Sequence, residues 1–186
     1  MGAAGPRRVV VLVGGSIAAW KACDVVSGLV QAGRHVEVVM TRAARRFVGP
    51  VSFAALTHRP VFTDETWFEG TGGGAGPAEH LRATEGADLL LVAPCTANLL
   101  GKFAHGLADD IVSSTWLGAA CAKVIAPAMN ARMWASPRVQ ANASVLRGDG
   151  VLFVGPEEGW LAEHETGPGR MAEPETILAR LGDALP

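Results

Sequence analysis

Short polar side chains follow the ends of four apolar runs in this chain, and their types suit ligand binding. Ser16 closes Gly14-Gly15-Ser16 after V-V-V-L-V, Thr41 follows H-V-E-V-V-M, Thr96 and Asn98 stand in A-P-C-T-A-N, and Asn130 stands in P-A-M-N. The first group is suited to an anion. Glycines let the backbone approach closely, the first N–H groups of the following helix lack internal acceptors, and the serine hydroxyl adds a donor at the positive end of the helix dipole. A phosphate is the natural occupant. G-G-S lacks the spacing of the dinucleotide fingerprint, however, and strand-to-helix turns also carry glycine for geometry alone. Thr96 and Asn98 can either cap a helix or face a crevice. His80, in E-H-L, has an imidazole suited to proton transfer near neutral pH, although a lone histidine is also an ordinary surface residue. The chain has no tyrosine, so no phenol acts as acid or base.

The elements that must carry these residues alternate strand and helix. Residues 9–13 read as a strand buried on both faces, followed by an Ala-rich helix that Gly33 closes. Residues 35–41 read as a second parallel strand, A-A-R-R-F-V as a short helix, and the segment after Pro50 as another. Phe47 there is either core or a wall for a ring. Further strands are expected at 89–92, at K-V-I-A-P and at V-L-F-V, with two short helices between the first two of these and a closing helix at E-T-I-L-A-R-L. Asp109 or Asp110 is expected to be an N-cap rather than a catalytic acid. This order predicts an α/β fold with a doubly wound parallel sheet, Rossmann-like or flavodoxin-like, whose ligand lies outside the carboxyl ends of the strands. Parallel strands put those ends on one side, so the four polar groups share one rim. Capping alone does not account for four such coincidences.

With 186 residues and 49% hydrophobic content, the chain is expected to form one domain over 1–186. A net charge of −2 with scattered basic residues gives no field for nucleic acid. No stretch reaches the length of a membrane span, so no membrane partner is expected and the location is expected to be cytoplasmic. Cys23, Cys95 and Cys121 are too few and too widely spaced for a disulfide framework or a zinc site, and no metal is expected. Residues 1–7 are expected to be disordered. Residues 62–77, with five glycines in the seven residues after Glu69, read as a flexible loop that leaves Trp67 and Phe68 exposed unless something covers them. Residues 157–172 read as a Gly/Pro-rich loop that could act as a substrate lid.

In order along the chain, G-G-S-I-A-A-W-K, V-V-M-T-R-A-A-R-R-F-V, the histidine of E-H-L, A-P-C-T-A-N, A-P-A-M-N-A-R-M-W and G-P-G-R-M-A-E-P resemble the homo-oligomeric flavin-containing cysteine decarboxylases. That family includes phosphopantothenoylcysteine decarboxylase and the peptidyl-cysteine decarboxylases of lantibiotic-type peptides. The resemblance implies FMN as cofactor. It places Ser16, Ile17, Ala18 and Thr41 beside the phosphate and ribityl chain, in agreement with the anion cradle at Gly14 and Gly15, and Phe47, Thr96, Ala97, Asn98 and Met129 around the flavin ring. His80 falls at the active-site base and Asn130 at the position that holds the substrate carboxylate. Met133, Trp134, Ala162, Glu163 and His164 complete the implied substrate contacts. A homotrimer, or a dodecamer built of trimers, is also implied, with FMN at the subunit interface.

The implied chemistry oxidises a cysteine thiol to a thioaldehyde, whose C=S group accepts the electrons released as the neighbouring carboxylate leaves as carbon dioxide. FMN serves as electron acceptor, while the protein orients the substrate and excludes water. One position departs from the coenzyme A branch of the family. Where that branch carries a lid cysteine that assists reduction of the enethiol, this chain has Glu163, which is not a redox-capable thiol. Cys95 is the remaining thiol near the implied flavin side. The departure favours oxidative decarboxylation of a C-terminal peptide cysteine, with phosphopantothenoylcysteine decarboxylation as the close alternative. A flavin-binding regulatory subunit without catalysis is a third reading, opposed by the presence of both His80 and Asn130. A prenylated-flavin synthase, for which Arg42, Arg45 and Arg46 would be the phosphate ligands, ranks last because P-A-M-N-A-R-M-W belongs to the decarboxylases.

Overall fold

Runs of β-branched residues and leucine form five strands: β1 (Arg8–Val13), β2 (His35–Met40), β3 (Leu89–Cys95), β4 (Ala122–Pro127) and β5 (Leu152–Phe153). The helices are α1 (Lys21–Gln31), α2 (Pro50–Thr57), α3 (Asp64–Glu69), α4 (Glu79–Thr84), α5 (Ala97–Ala104), α6 (Ile111–Gly118), α7 (Ala131–Trp134), α8 (Pro137–Gly148) and α9 (Pro174–Asp183). This computed structural model describes residues 8–69 and 79–183, without the side chains of 68, 69, 79–81 and 183. The strands lie in the order β2-β1-β3-β4-β5 and every pair is parallel. Strand order therefore reverses at β1: the chain moves to one side to make β2 and to the other to make β3. In a sheet of this order the crevice between the C-terminal ends of β1 and β3 is the ligand position.

Alternate residues of each strand face opposite layers, which is why the strands read as unbroken apolar runs. Val9, Val11 and Val13 pack with α1, α2 and α9 through residues such as Val25, Phe53 and Ile177. Val10 and Leu12 pack on the other face with α5, α6 and α8 through Leu99, Ile111 and Leu146. Gly33 closes α1 as expected, at φ +74, with its N–H donated to Val30 O and that of Arg34 to Leu29 O. This pair of bonds requires a left-handed residue between helix and strand, where glycine is least strained.

Two expectations change here. Part of the predicted 62–77 loop is ordered: Phe62 bridges Val39 of β2 in parallel, and 64–69 is helical. Trp67 is half-buried against the core layer of α5, α6 and α8 rather than exposed, because the Phe62 bridge ties the start of this segment to the sheet edge. The rest of that stretch, and residues 1–7, lie outside the described residues, as does the side chain of Phe68. The predicted lid is not an irregular loop but an antiparallel hairpin of β6 (Glu157–Trp160) and β7 (Thr166–Arg170). Glycines that read as loop punctuation serve close backbone packing instead. A Cβ on Gly169 would lie 2.2 Å from the Met129 carbonyl oxygen.

Leu91 lies at the centre of the middle strand with no exposed surface. Leu91→Ala is expected to lower unfolding free energy by about 2–5 kcal/mol, measured by urea denaturation with flavin absent. A loss below about 1 kcal/mol would be inconsistent with a close-packed centre at β3.

Candidate active site

Gly14 and Gly15 build the site by having no side chains. A Cβ on Gly14 would stand 2.4 Å from Pro94 O, the same oxygen that accepts the Gly14 N–H at 3.1 Å. A Cβ on Gly15 would stand 2.4 Å from the Ala43 Cβ. The turns leaving β1, β2 and β3 are thereby drawn together, and a cleft of about 480 Å³ opens between them. Its lining includes Gly15, Ser16, Thr41, Arg42, Thr96, Ala97, Asn98 and Met129. That volume falls within the usual range for small-molecule sites.

Most of these polar groups have a structural bond as well as a place in the wall. Ser16 Oγ accepts the Ala18 N–H at 3.2 Å and caps a single 3₁₀ turn, Ile17–Trp20, that precedes α1. Thr41 Oγ1 accepts the Ala44 N–H at 3.0 Å, and Thr96 Oγ1 caps α5 by accepting the Leu99 N–H at 3.3 Å. Capping fixes where each hydroxyl sits, so the two readings of these residues are compatible. Asn98 is exposed in the cleft wall.

A second cleft of about 180 Å³ adjoins the first and shares Ser16, Ala128 and Met129 with it. The hairpin supplies its far wall through Trp160, Leu161, Ala162, Glu163 and Arg170, and Asn130 faces it from the end of β4. Asn130 Oδ1 accepts N–H groups from Arg132 at 2.7 Å and Met133 at 3.4 Å, capping α7. With the oxygen engaged, the amide NH₂ is the part left for a ligand, and two N–H donors suit a carboxylate. Met129 donates its N–H to Gly169 O at 3.0 Å, which fixes the hairpin against the residue preceding Asn130.

Several expected contacts fall elsewhere. Gly14 is buried between β1 and β3 and lines neither cleft. Ile17 and Ala18 line the second cleft rather than the first, because the 3₁₀ turn carries the chain past Ser16 toward the hairpin. Met133 lines the first cleft and not the second. Trp134 is half-buried against the core layer of α5, α6 and α8, and lines neither cleft. His164 lines a groove outside the second cleft. Phe47 is 49% exposed and lines neither cleft, so the core reading fails: in its short 3₁₀ turn only Ala44 is buried. His80 belongs to α4, but its side chain lies outside the described residues.

The structure also brings in residues to which the decarboxylase resemblance gave no role, Arg42 having been named only for the last-ranked reading and Asp110 only as a cap. Arg42 borders the first cleft directly after Thr41, a position its neighbour could have signalled. Asp64 and Asp110 border the same cleft. Asp110 is the N-cap expected of it, with a full capping box at Ser113, and Lys102 Nζ lies 2.5 Å from its Oδ2. Asp64 Oδ1 accepts the Ile111 N–H at 2.8 Å. Burial pushes the Asp64 carboxyl above its usual range; the Ile111 N–H opposes this, and the charges of Asp110 and Glu65 add to it. Nothing in a segment read as a loop marked Asp64 as part of a cleft.

Cys95 does not supply a reactive thiol. Its side chain is fully buried at the end of β3, and burial pushes its pKa far up, away from thiolate. Cys23 and Cys121 are half-buried, line neither cleft, and are also shifted up by burial. Among the described residues, neither cleft contains a cysteine.

A family model described as Flavoprotein matches residues 2–184. The chain belongs to the flavoprotein family. It is 47% identical over 172 residues to the coenzyme A biosynthesis bifunctional protein CoaBC of Bacillus subtilis, covering 92% of this chain but 41% of that protein, so the chain spans under half of that relative. A probable phosphopantothenoylcysteine decarboxylase of Streptococcus mutans is 35% identical, over 96% of this chain and 99% of that one. Among solved structures, a PPC decarboxylase mutant complexed with pantothenoylaminoethenethiol superposes with a TM-score of 0.85 at 29% identity, covering 94% of this chain and 95% of that one. SpaF, described as an FMN-dependent cysteine decarboxylase, superposes at 0.80 with 37% identity, covering 95% of each. The flavodoxin-like sheet and the expected cofactor class agree with these neighbours. The first cleft fits FMN by its chemistry: the Ser16 hydroxyl and Arg42 guanidinium suit a phosphate, the Asn98 amide adds polar bonds, and Leu99, Met129 and Met133 give an apolar wall for a ring.

Because the folded pKa of Asp64 is raised, its charged form costs stability once pH exceeds the unfolded carboxylate value of about 3.9, and this cost is absent at lower pH. Asp64→Asn keeps an acceptor for Ile111 and removes the charge. It is expected to unfold at a higher temperature than the parent at pH 7, by no more than about 2–4 °C given solvent screening, with the gap closing as pH falls toward about 4. Scanning calorimetry across that range checks the sign.

Proposed function

We propose that this protein decarboxylates the cysteine carboxylate of phosphopantothenoylcysteine, using FMN held in the first cleft. The observation that carries this reading is the placement of Asn130. Its amide donors face a cleft that shares Ser16, Ala128 and Met129 with the cofactor cleft, so a carboxylate bound there would lie next to the site that would hold the cofactor. The similarity to CoaBC and to the Streptococcus protein supports the choice of substrate.

Asn130 binds and orients the carboxylate, and its cap to α7 keeps the amide from turning. FMN, when bound, would take two electrons from the cysteine thiol and return both, with two protons, to the enethiol left after decarboxylation, so that the net loss is carbon dioxide alone. His80 receives the proton released in that oxidation. The hairpin covers the second cleft through Leu161, Ala162 and Glu163 and excludes water as carbon dioxide leaves. The protein works as a cytoplasmic homo-oligomer, a trimer or an assembly of trimers. The half-exposed Phe47 and the exposed Val51 fit a face that a second subunit covers.

A second reading, oxidative decarboxylation of a C-terminal peptide cysteine, is favoured by one observation: among the described residues neither cleft offers a thiol, and the hairpin tip carries Glu163. Product analysis by mass spectrometry separates the two. Incubation with phosphopantothenoylcysteine is expected to give the product that has lost carbon dioxide alone. Loss of carbon dioxide together with two hydrogens, or turnover only of peptides ending in cysteine, would favour the second reading.

Asn130→Asp tests the role of the amide itself. Aspartate caps a helix as well as asparagine, so stability is expected to stay within about 0.5 kcal/mol. A second carboxylate oxygen would then face the substrate carboxylate, and turnover is expected to drop by about 100-fold or more. Unchanged turnover in the folded variant would remove Asn130 from carboxylate binding.

A further inference from the structure

Three charged side chains border the first cleft: Arg42, Asp64 and Asp110. Two of them have clear roles. Arg42 follows Thr41 and is the cation suited to a phosphate. Asp110 caps α6, and Lys102 Nζ at 2.5 Å from its Oδ2 offsets its charge. Asp64 differs from both. Its Oδ1 accepts the Ile111 N–H at 2.8 Å, while Oδ2 has no hydrogen bond and no cation pairs with the carboxyl among the described residues. An unpaired, half-buried carboxyl in the wall of a ligand cleft is a candidate for a functional role.

Its position is fixed from three sides. Phe62 ties the preceding chain to Val39 of β2. Thr63 and Thr66 exchange hydrogen bonds between N–H groups and hydroxyls, at 2.9 and 3.4 Å, across the first turn of α3. The Ile111 bond then anchors the carboxyl itself to α6. A group anchored this way meets an occupant of the cleft already oriented.

The neighbouring charges do not cancel it. Glu65, the next residue of α3, pairs with Arg45, and Asp109 and Asp110 share Lys102 of α5. Burial raises the Asp64 carboxyl most, the Ile111 N–H lowers it, Asp110 and Glu65 raise it further, and Lys102 gives the smallest opposing effect. Above its titration range Asp64 therefore adds an uncompensated negative charge to the cleft.

We propose that Asp64 sets the reducing power of the bound cofactor: its carboxylate opposes the added negative charge of reduced FMN, so the electrons are given up more readily. Two-electron reduction leaves the flavin ring anionic if one proton is added and neutral if two are. A fixed carboxylate in the same cleft raises the energy of the anionic form and draws in the second proton. This role rests on the reading that places FMN in the first cleft, and it deepens that reading. A reaction that takes two electrons from a thiol and hands both back to the enethiol needs a cofactor that does not retain them.

The test needs no substrate. Asp64→Asn keeps an acceptor for Ile111 and removes the charge. The FMN-loaded parent and variant are reduced stepwise alongside a dye of known potential. At about pH 8, well above the ordinary carboxylate range, the variant is expected to favour reduced FMN about tenfold more than the parent, a rise of about 30 mV for this two-electron couple. The gap is expected to close as pH falls, because the parent carboxyl then takes up its proton and becomes neutral like the amide, and its raised position brings this on sooner than for an ordinary aspartate. Asp64→Glu returns the charge and is expected to restore most of the parent potential. Equal potentials in parent and Asp64→Asn at that pH overturn the proposal and leave Asp64 as a helix cap alone. A shift of the same size at every pH also overturns it, since altered packing would then be the cause. Loss of FMN from Asp64→Asn counts against it as well, because removal of a negative charge is expected to tighten the hold on an anionic cofactor. A failure of the decarboxylase reading appears separately, in the product analysis.

Discussion

The divergence of the chain on either side of β1 is the constraint on which the rest depends. β1 is hydrogen-bonded along both edges by parallel neighbours, so its buried valines cannot shift without breaking two ladders. Its exit must then pass between the exits of β2 and β3. Only glycine fits there, because Pro94 O and Ala43 Cβ already occupy the space a side chain would need at Gly14 and Gly15. The cleft is therefore a by-product of strand order, and the residues that line it inherit their positions from a core that is apolar on both faces.

Dual use of polar groups follows from that crowding. Ser16, Thr41, Thr96, Asp110 and Asn130 each satisfy backbone donors at the start of a helix or turn, and each also stands in a cleft wall. A cap removes rotational freedom from the side chain it uses, so these groups meet a ligand already oriented. For Asn130 the effect is sharper. Spending the oxygen on Arg132 and Met133 leaves a donor-only face, which favours an anion over a cation or a neutral acceptor-poor group.

The parallel strands and their shared rim were legible in the sequence, though not the strand order, because they follow from local patterns: valine runs for buried parallel strands, Gly33 for the end of α1, and a polar residue at each strand exit. What was not legible depended on contacts distant in sequence. Asp64 enters the cleft because its carboxylate caps α6, 47 positions later in the chain. Ile17 and Ala18 moved from one cleft to the other because a single 3₁₀ turn, shorter than the α-helix read from the Ala-rich pattern, precedes α1. Trp134 reads as a ligand contact from its motif, yet it packs on the core because α7 is one turn long and has few faces to offer. The hairpin was hidden by glycines and a proline that normally punctuate loops, and only its pairing partners reveal it as a sheet.

The two ends of that hairpin are held very differently. Its base is fixed by the Met129–Gly169 bond, by the lack of room for any side chain at Gly169, and by the ion network through Arg170. Its tip, residues 161–165, is closed by two local backbone bonds, Leu161 to Glu165 and His164 to Leu161, with His164 at φ +62. Glu163 sits in that tip, outside the ion network of the base. A protein built this way can exchange the reactive group offered to its substrate without disturbing the frame that holds the substrate. Divergence of chemistry within such a family would then be concentrated in a handful of tip positions, while the sheet, the caps and the glycines beneath them stay under the same selection in every branch.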